Sequence, residues 1–259
     1  MIHKEETVTG RSLIQIKQVN TMEENIARYL LVTDKYKRKG YLEGVKRIPI
    51  QKSLQHWLST ENYTSIPNEA SFNGSYGEGG IFNDSFNEIY IDKYHWNSKH
   101  FIALDNTNIV GSARLIEKNS IGLPTLGNQD IKIFDEYAFL CHQNCAEFSQ
   151  FVVREGECAH ISIGLIKIAY LYSIKVMNIE KWVATIDNSV LRFFNSRFFN
   201  FNLPAIGPSV KYLGSLCTPV YIDLKSTLEN SARFDSSRSI AEFILDTSND
   251  GFEDVEIII

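Results

Sequence analysis

Apolar and polar positions alternate along this chain with two different periods. Over residues 13–19, Ile14 and Ile16 alternate with polar neighbours, the period of a half-buried strand. From Thr21 the period lengthens: Ile26, Tyr29, Leu30 and Tyr36 fall on one helical face, Thr21 and Glu24 have capping-box spacing, and Gly40 ends the helix. The pattern weakens from 43 to 88, where Asn, Ser, Gly and Glu over 68–87 predict a long surface excursion with a short helix at 51–58. Residues 100–104 and 109–117, joined by the turn-rich Asp105-Asn-Thr-Asn108, read as a hairpin. Beyond it the spacing predicts a helix at 131–140, a strand at 146–153, an apolar helix at 161–176 and a strand at 181–186. An aromatic-rich helix at 189–199, a strand at 219–224 and a helix at 236–245 follow.

Helices and strands that alternate in this way describe an α/β fold with a mixed central sheet flanked by helices. The simplest division is one domain over 1–225, with a surface insertion at about 43–88, and a C-terminal extension over 226–259. No internal repeat is present. An apolar fraction of 44% supplies a core for the 259 residues.

Charge narrows the partners. The net charge of -5 argues against a protein that coats nucleic acid. It is unevenly spread: residues 1–60 hold 11 Lys/Arg against 6 Asp/Glu, and residues 223–259 hold 3 against 9. No run approaches the roughly 20 apolar residues of a membrane span, and the opening lacks an apolar stretch of signal type, so a cytoplasmic location is expected. Four cysteines are too few for a disulfide scaffold. Cys141, Cys145, Cys158 and His160 are soft ligands, but their spacing matches no common zinc module and a strand runs between the pairs. Reduced thiols and no metal site are expected.

Specific residues carry a resemblance. Phe101-Ile-Ala-Leu-Asp105, Val110-Gly111 and Arg114-Leu115 resemble the central hairpin shared by acyl-homoserine-lactone synthases and FeeM-type N-acyl amino acid synthases. Gly122-Leu-Pro124, the strand Ala146-Glu-Phe-Ser-Gln-Phe-Val152 and Ile206-Gly-Pro208 with Thr218-Pro-Val-Tyr-Ile-Asp-Leu224 resemble segments of the FeeM-type family. Tyr29, Tyr36 and Tyr41 resemble the tyrosine pattern of its first helix. The resemblance, from about Ile26 to Leu224, implies a GNAT fold and transfer of a fatty acyl group from a thioester to the amine of an amino acid.

What the resemblance implies for the site follows residue by residue. Glu147 falls on the family's glutamate and would take the amine proton, directly or through water; a structural pairing with Arg114 across the sheet is the alternative. Arg114 would hold the amino acid carboxylate in a cleft, or else lie exposed on its strand. Asp92 and Tyr94, in Tyr-Ile-Asp-Lys-Tyr, resemble an acidic element facing the amine, and Ser149 and Phe151 would contact substrate from the Glu147 strand. Phe193, Phe194, Phe198, Phe199 and Phe201 are numerous enough for an acyl tunnel, but their spacing favours core. The edge of 147–153, where it splays from 181–186, would offer backbone N–H groups to the oxyanion.

The donor is read from a loop that is missing. CoA users of this fold carry a glycine-rich loop that cradles pyrophosphate at a helix N-terminus. Here Arg154-Glu-Gly-Glu-Cys-Ala159 places its glycine one position early and adds two carboxylates. An acyl-phosphopantetheine thioester on an acyl carrier protein is therefore the expected co-substrate, with no tightly bound cofactor. Lys35, Lys37, Arg38 and Lys39 form a basic cluster suited to docking that acidic partner, or to complementing a helix dipole. Two other readings stand: an acyl-homoserine-lactone synthase using S-adenosylmethionine, disfavoured because Gln150 replaces the arginine those enzymes carry after the serine, and a GNAT-shaped binding module without turnover.

Overall fold

The structure is a computed structural model that describes residues 13–49, 79–84, 87–157, 159–251 and 255–258. The chain opens with β1 (Ile14–Gln18) and α1 (Met22–Arg38). The capping box forms: Thr21 Oγ1 accepts from the Glu24 N–H at 3.2 Å and the Glu24 carboxylate accepts from the Thr21 N–H at 3.3 Å. Residues 43–88 are not only a surface excursion. They contain β2 (Arg47–Pro49) and β3 (Gly79–Asn83), which with β4 (Glu88–Asp92) make a three-stranded sheet whose Ile81, Phe82 and Ile89 are buried. Gly79, Gly80 and Asn83, which masked β3 in the sequence, lie within the strand itself. The helix expected at 51–58 lies outside the described residues.

The hairpin forms as β5 (Ser98–Asp105) and β6 (Asn108–Glu117), turning at Asn106 with φ 54°. A single helical turn, α2 (Pro124–Gly127), follows. The helix expected at 131–140 is not formed. Only a 3-10 segment, Asp135–Cys141, is present, because the apolar residues do not share a face: Ile131 and Leu140 are buried while Phe134 and Phe139 are exposed.

Next come β7 (Ala146–Val153), α3 (Ala159–Tyr172) and β8 (Lys181–Asp187). The helix expected at 189–199 is shorter, α4 (Asn188–Phe194), because Asn195 caps it and Asn200 and Asn202 take left-handed conformations. The chain continues through β9 (Val210–Tyr212), β10 (Ser215–Asp223), α5 (Leu224–Ser231), α6 (Arg238–Leu245) and β11 (Val255–Ile258).

Eight strands form one mixed sheet in the order β11-β1-β5-β6-β7-β8-β10-β9. Helix α3 lies along one face, burying Ile161, Leu165 and Ile168, and α1 with the small sheet covers part of the other. By length and composition alone Ala159–Met177 would cross a membrane, but 67% of that window is buried inside the fold. Residues after 225 are built into the same sheet: β11 pairs in parallel with β1, and the Lys167 ammonium of α3 donates to the Phe243 carbonyl of α6 at 2.9 Å.

Candidate functional site

Two irregularities in the sheet make a cleft. Strands β7 and β8 run parallel and pair only at Ala146–Trp182 and Glu147–Val183. Beyond that point they splay. On its other edge β7 pairs with β6, but the register slips between Ser112–Val152 and Arg114–Ser149, leaving one extra residue on β7. Gln150 occupies this bulge with φ 46°, and its side-chain oxygen accepts from Arg28 Nη1 at 2.8 Å. A helix residue thereby holds the bulge that bends β7 away from β8.

The splay opens into a cavity of about 310 Å³, lined by β7 from Glu147 to Val152, β8 from Thr185 to Asp187, α4, and the end of α1 with the β9–β10 turn. Glu147, Ser149 and Phe151 all line it. Glu147 sits at the narrow end, 3% exposed, and its carboxylate accepts from the Thr125 N–H at 2.7 Å. The Gly-Leu-Pro motif explains this bond. Gly122 turns with φ 84°, Leu123 is buried and extended, and Pro124 starts α2, which aims the next N–H at Glu147.

Arg114, Asp92 and Tyr94 come together beside this cavity, and among the described residues they do not line it. Arg114 is 4% exposed, which excludes the exposed-strand reading. It donates to Asp92 Oδ1 and, through Nε, to Ser149 Oγ, each at 2.8 Å. Its cross-sheet partner is thus Ser149, while Ile116 lies opposite Glu147. Burial opposes the charge on Arg114, but Asp92 outweighs it and holds the guanidinium above its usual range. Arg28 is fully buried, and among the described residues it donates to the neutral Asn25 and Gln150; burial, then the nearby Arg114, brings it down to about 9. Tyr94 packs against Ile116 and Leu123.

The wide end is polar. Burial raises Asp187, but hydrogen bonds from Ser189, Ser215 and Tyr41 win and hold its carboxylate well below the usual range. Burial, with Asp187 nearby, pushes the Cys217 thiol up to about 12, and burial also pushes Tyr36 up to about 12. The basic cluster divides. Lys35 and Lys39 line the cavity, Lys37 is ion-paired with Glu88, and Arg38 pairs with Asp34 at 3.0 Å beside a groove that Lys35 and Val152 share with the cavity. Phe194, Phe199 and Phe201 are buried core residues, Phe193 is half-buried and Phe198 is exposed. Cys141, Cys145 and Cys217 are free thiols; Cys158 lies outside the described residues.

A family model described as N-acyl amino acid synthase FeeM matches residues 72–212, more than half of the chain. The chain belongs to this family. Among solved structures, FeeM, an N-acyl amino acid synthase from uncultured soil microbes, is similar at 13% identity with a TM-score of 0.51, over 84% of this chain and 95% of FeeM. BjaI, a CoA-dependent acyl-homoserine lactone synthase seen with SAM and isopentyl-CoA, is similar at 14% identity and TM-score 0.48, over 95% and 93% of the two chains. The acyl-homoserine-lactone synthase LasI stands at 15% and 0.46, over 82% and 89%. At these identities the likenesses concern the fold. No curated protein sequence matches the chain. The protein is an acyltransferase of the N-acyl amino acid synthase type.

Within the FeeM family reading, several site residues were not legible as such. Thr125, Asp187 and Arg28 act through contacts that only the fold creates. Arg28 left one signal, a charge next to Tyr29 on the helical face that packs inward. Tyr41 was visible only as the last tyrosine of the first-helix pattern.

Proposed function

We propose that the protein transfers a fatty acyl group from the phosphopantetheine thioester of an acyl carrier protein to the amine of an amino acid, with Glu147 as the general base. The observation that carries this reading is the cleft itself: a splayed strand edge beside a buried carboxylate. The amine attacks the thioester carbonyl, the C–N bond forms, and backbone N–H groups of β7 that no longer face a paired strand stabilise the oxyanion. The C–S bond then breaks. The amine proton passes to Glu147, directly or through water, and on to the departing thiolate. Arg114, charged and fixed by Asp92 beside the cavity, acts on the substrate side through Ser149, which it holds by Nε and which lines the cavity.

A carrier protein is favoured over free CoA because the loop before α3 carries Glu155 and Glu157, and its exposed arginine is engaged with main chain, Arg154 donating to the Ile109 carbonyl at 2.8 Å. Lys35, Lys39 and Arg38 border the cavity and its adjoining groove, where they suit an acidic carrier; Lys37, neutralised by Glu88, contributes less. The free thiols fit a reducing cytoplasm.

The test is incubation with a long-chain acyl carrier protein and a pool of amino acids, read by mass spectrometry. An N-acyl amino acid is the expected product. An acyl-homoserine lactone formed only with S-adenosylmethionine, or no acyl transfer to any amine, would overturn the reading.

A further inference from the structure

The sheet does not hold the wide end of the cleft together. Pairing between β7 and β8 stops at Glu147 and Val183, four residues before β8 ends at Asp187. Across that opening two surface corners meet. Tyr41, just past α1, donates its hydroxyl to Asp187 Oδ2 at 2.8 Å. The backbones touch as well: Gly40 and Gly214 have φ of 74° and 78°, and a Cβ on Gly214 would lie 2.6 Å from the Gly40 carbonyl oxygen. Ser215, beside that turn, also donates to Asp187. Tyr41, Leu213 and Asp187 all line the cavity, so this junction is part of its wall.

We propose that Tyr41 and Asp187 form a latch that opens to admit the acyl-thioester arm into the cleft and closes over it. This rests on the reading of the cleft as an acyl-thioester site. Both side chains are half-buried, so the hydrogen bond can break and be replaced by water without exposing core. The junction joins the α1 corner to the β9–β10 turn, and β9 is a three-residue strand at the sheet edge, held on one side by β10. The two corners themselves meet through main chain, at Gly40 and Gly214.

Cys217 reports the state of the latch. It lines the cavity, is 5% exposed, and lies two residues from Ser215. Cys145, with 0% exposure, belongs to a separate apolar cluster and serves as an internal control. The experiment is modification by N-ethylmaleimide at fixed pH, followed peptide by peptide by mass spectrometry, for wild type and Tyr41→Phe. The phenylalanine keeps the ring contact with Tyr36, at 5.4 Å between centroids, and removes only the hydroxyl. Loss of a hydrogen bond to an ionised group is expected to raise the Cys217 rate roughly tenfold or more relative to Cys145. An unchanged Cys217 rate, or an equal rise at Cys145, overturns the latch. A non-hydrolysable long-chain alkyl pantetheine thioether is then added and is expected to protect Cys217 in both proteins. Faster Cys217 modification in the variant with no protection by the thioether would uphold the latch and overturn the acyl-thioester reading of the cleft.

Discussion

Glu147 is where position and chemistry coincide, since its carboxylate is buried, lies at the narrow end of the cleft and already accepts the Thr125 N–H. Glu147→Gln keeps an acceptor for that N–H but cannot take a proton, so acyl transfer is expected to fall by about 10-fold to 10^4-fold while the unfolding midpoint stays close to wild type. Wild-type turnover by the folded variant would leave Glu147 a structural role. The sequence made Glu147, Ser149 and Arg114 legible because they lie on strands with clear period and family motifs. It did not show that Arg114 pairs with Asp92, since that contact depends on how the small sheet packs. Nor did it show the histidines. His95 and His100 are buried, and desolvation first, then the charge of Arg28, holds each imidazole well below its usual range. Both are neutral in the fold and protonate in the unfolded chain below about pH 6.5, so the unfolded state binds more protons and stability falls as pH drops through that point. The loss is expected to reach up to about 1.4 kcal/mol per pH unit for each imidazole. Urea unfolding at pH 6.5 and 5.5 measures it, in a window above the lowered carboxylates of Asp187 and Glu24, and His100→Phe should roughly halve the slope. Equal stability at the two pH values would mean that protons reach the imidazoles in the folded state.

At the scale of elements, strong period was the reliable guide. The helix begun by Thr21 and the strands around Glu147 formed as read, whereas 131–140 did not, because its apolar residues do not share a face and its backbone bonds to a segment distant in sequence. Phe134 N–H donates to the Ile206 carbonyl at 2.8 Å, which fastens this loop to the segment before β9. The motif Ile206-Gly-Pro208 owes its glycine to that junction: a Cβ on Gly207 would lie 2.0 Å from the Lys132 carbonyl oxygen. Backbone cannot yield as a side-chain end can. Gly207→Ala is therefore expected to destabilise the protein by more than about 2 kcal/mol, at the upper end of ordinary point substitutions. Chemical denaturation checks this, and a loss under about 0.5 kcal/mol would show that the loop moves freely from the sheet. Strands β2 and β3 escaped notice for a different reason. Each is short, and the glycines of β3 are there for packing rather than for a turn: a Cβ on Gly79 would meet the Tyr90 ring at 2.5 Å.

For the whole molecule, the acidic C-terminal stretch is structurally continuous with the sheet even though composition set it apart. Strand β11 covers β1 on its outer edge, with Val255 and Ile257 buried at 2% and 4% and paired to Ile14 and Ile16. Gly164 of α3 brings the helix against both strands, since a Cβ there would lie 2.6 Å from Ile16 Cδ1 and 2.9 Å from Val255 Cγ1. A chain ending at Asp250 loses two buried apolar side chains and a strand ladder, for which burial alone gives about 3–6 kcal/mol as an upper estimate. In a protein of this size that corresponds to a fall in Tm of roughly 10 °C. The cleft lies three strands from β1, between β7 and β8, so the truncated protein, assayed below its own Tm, is expected to keep acyl transfer within about threefold of wild type. A thermal melt and a turnover assay on the same preparation decide the matter. An unchanged Tm would show that β11 adds nothing to the sheet, and a large loss of turnover in a well-folded truncated chain would show that the tail reaches the site after all.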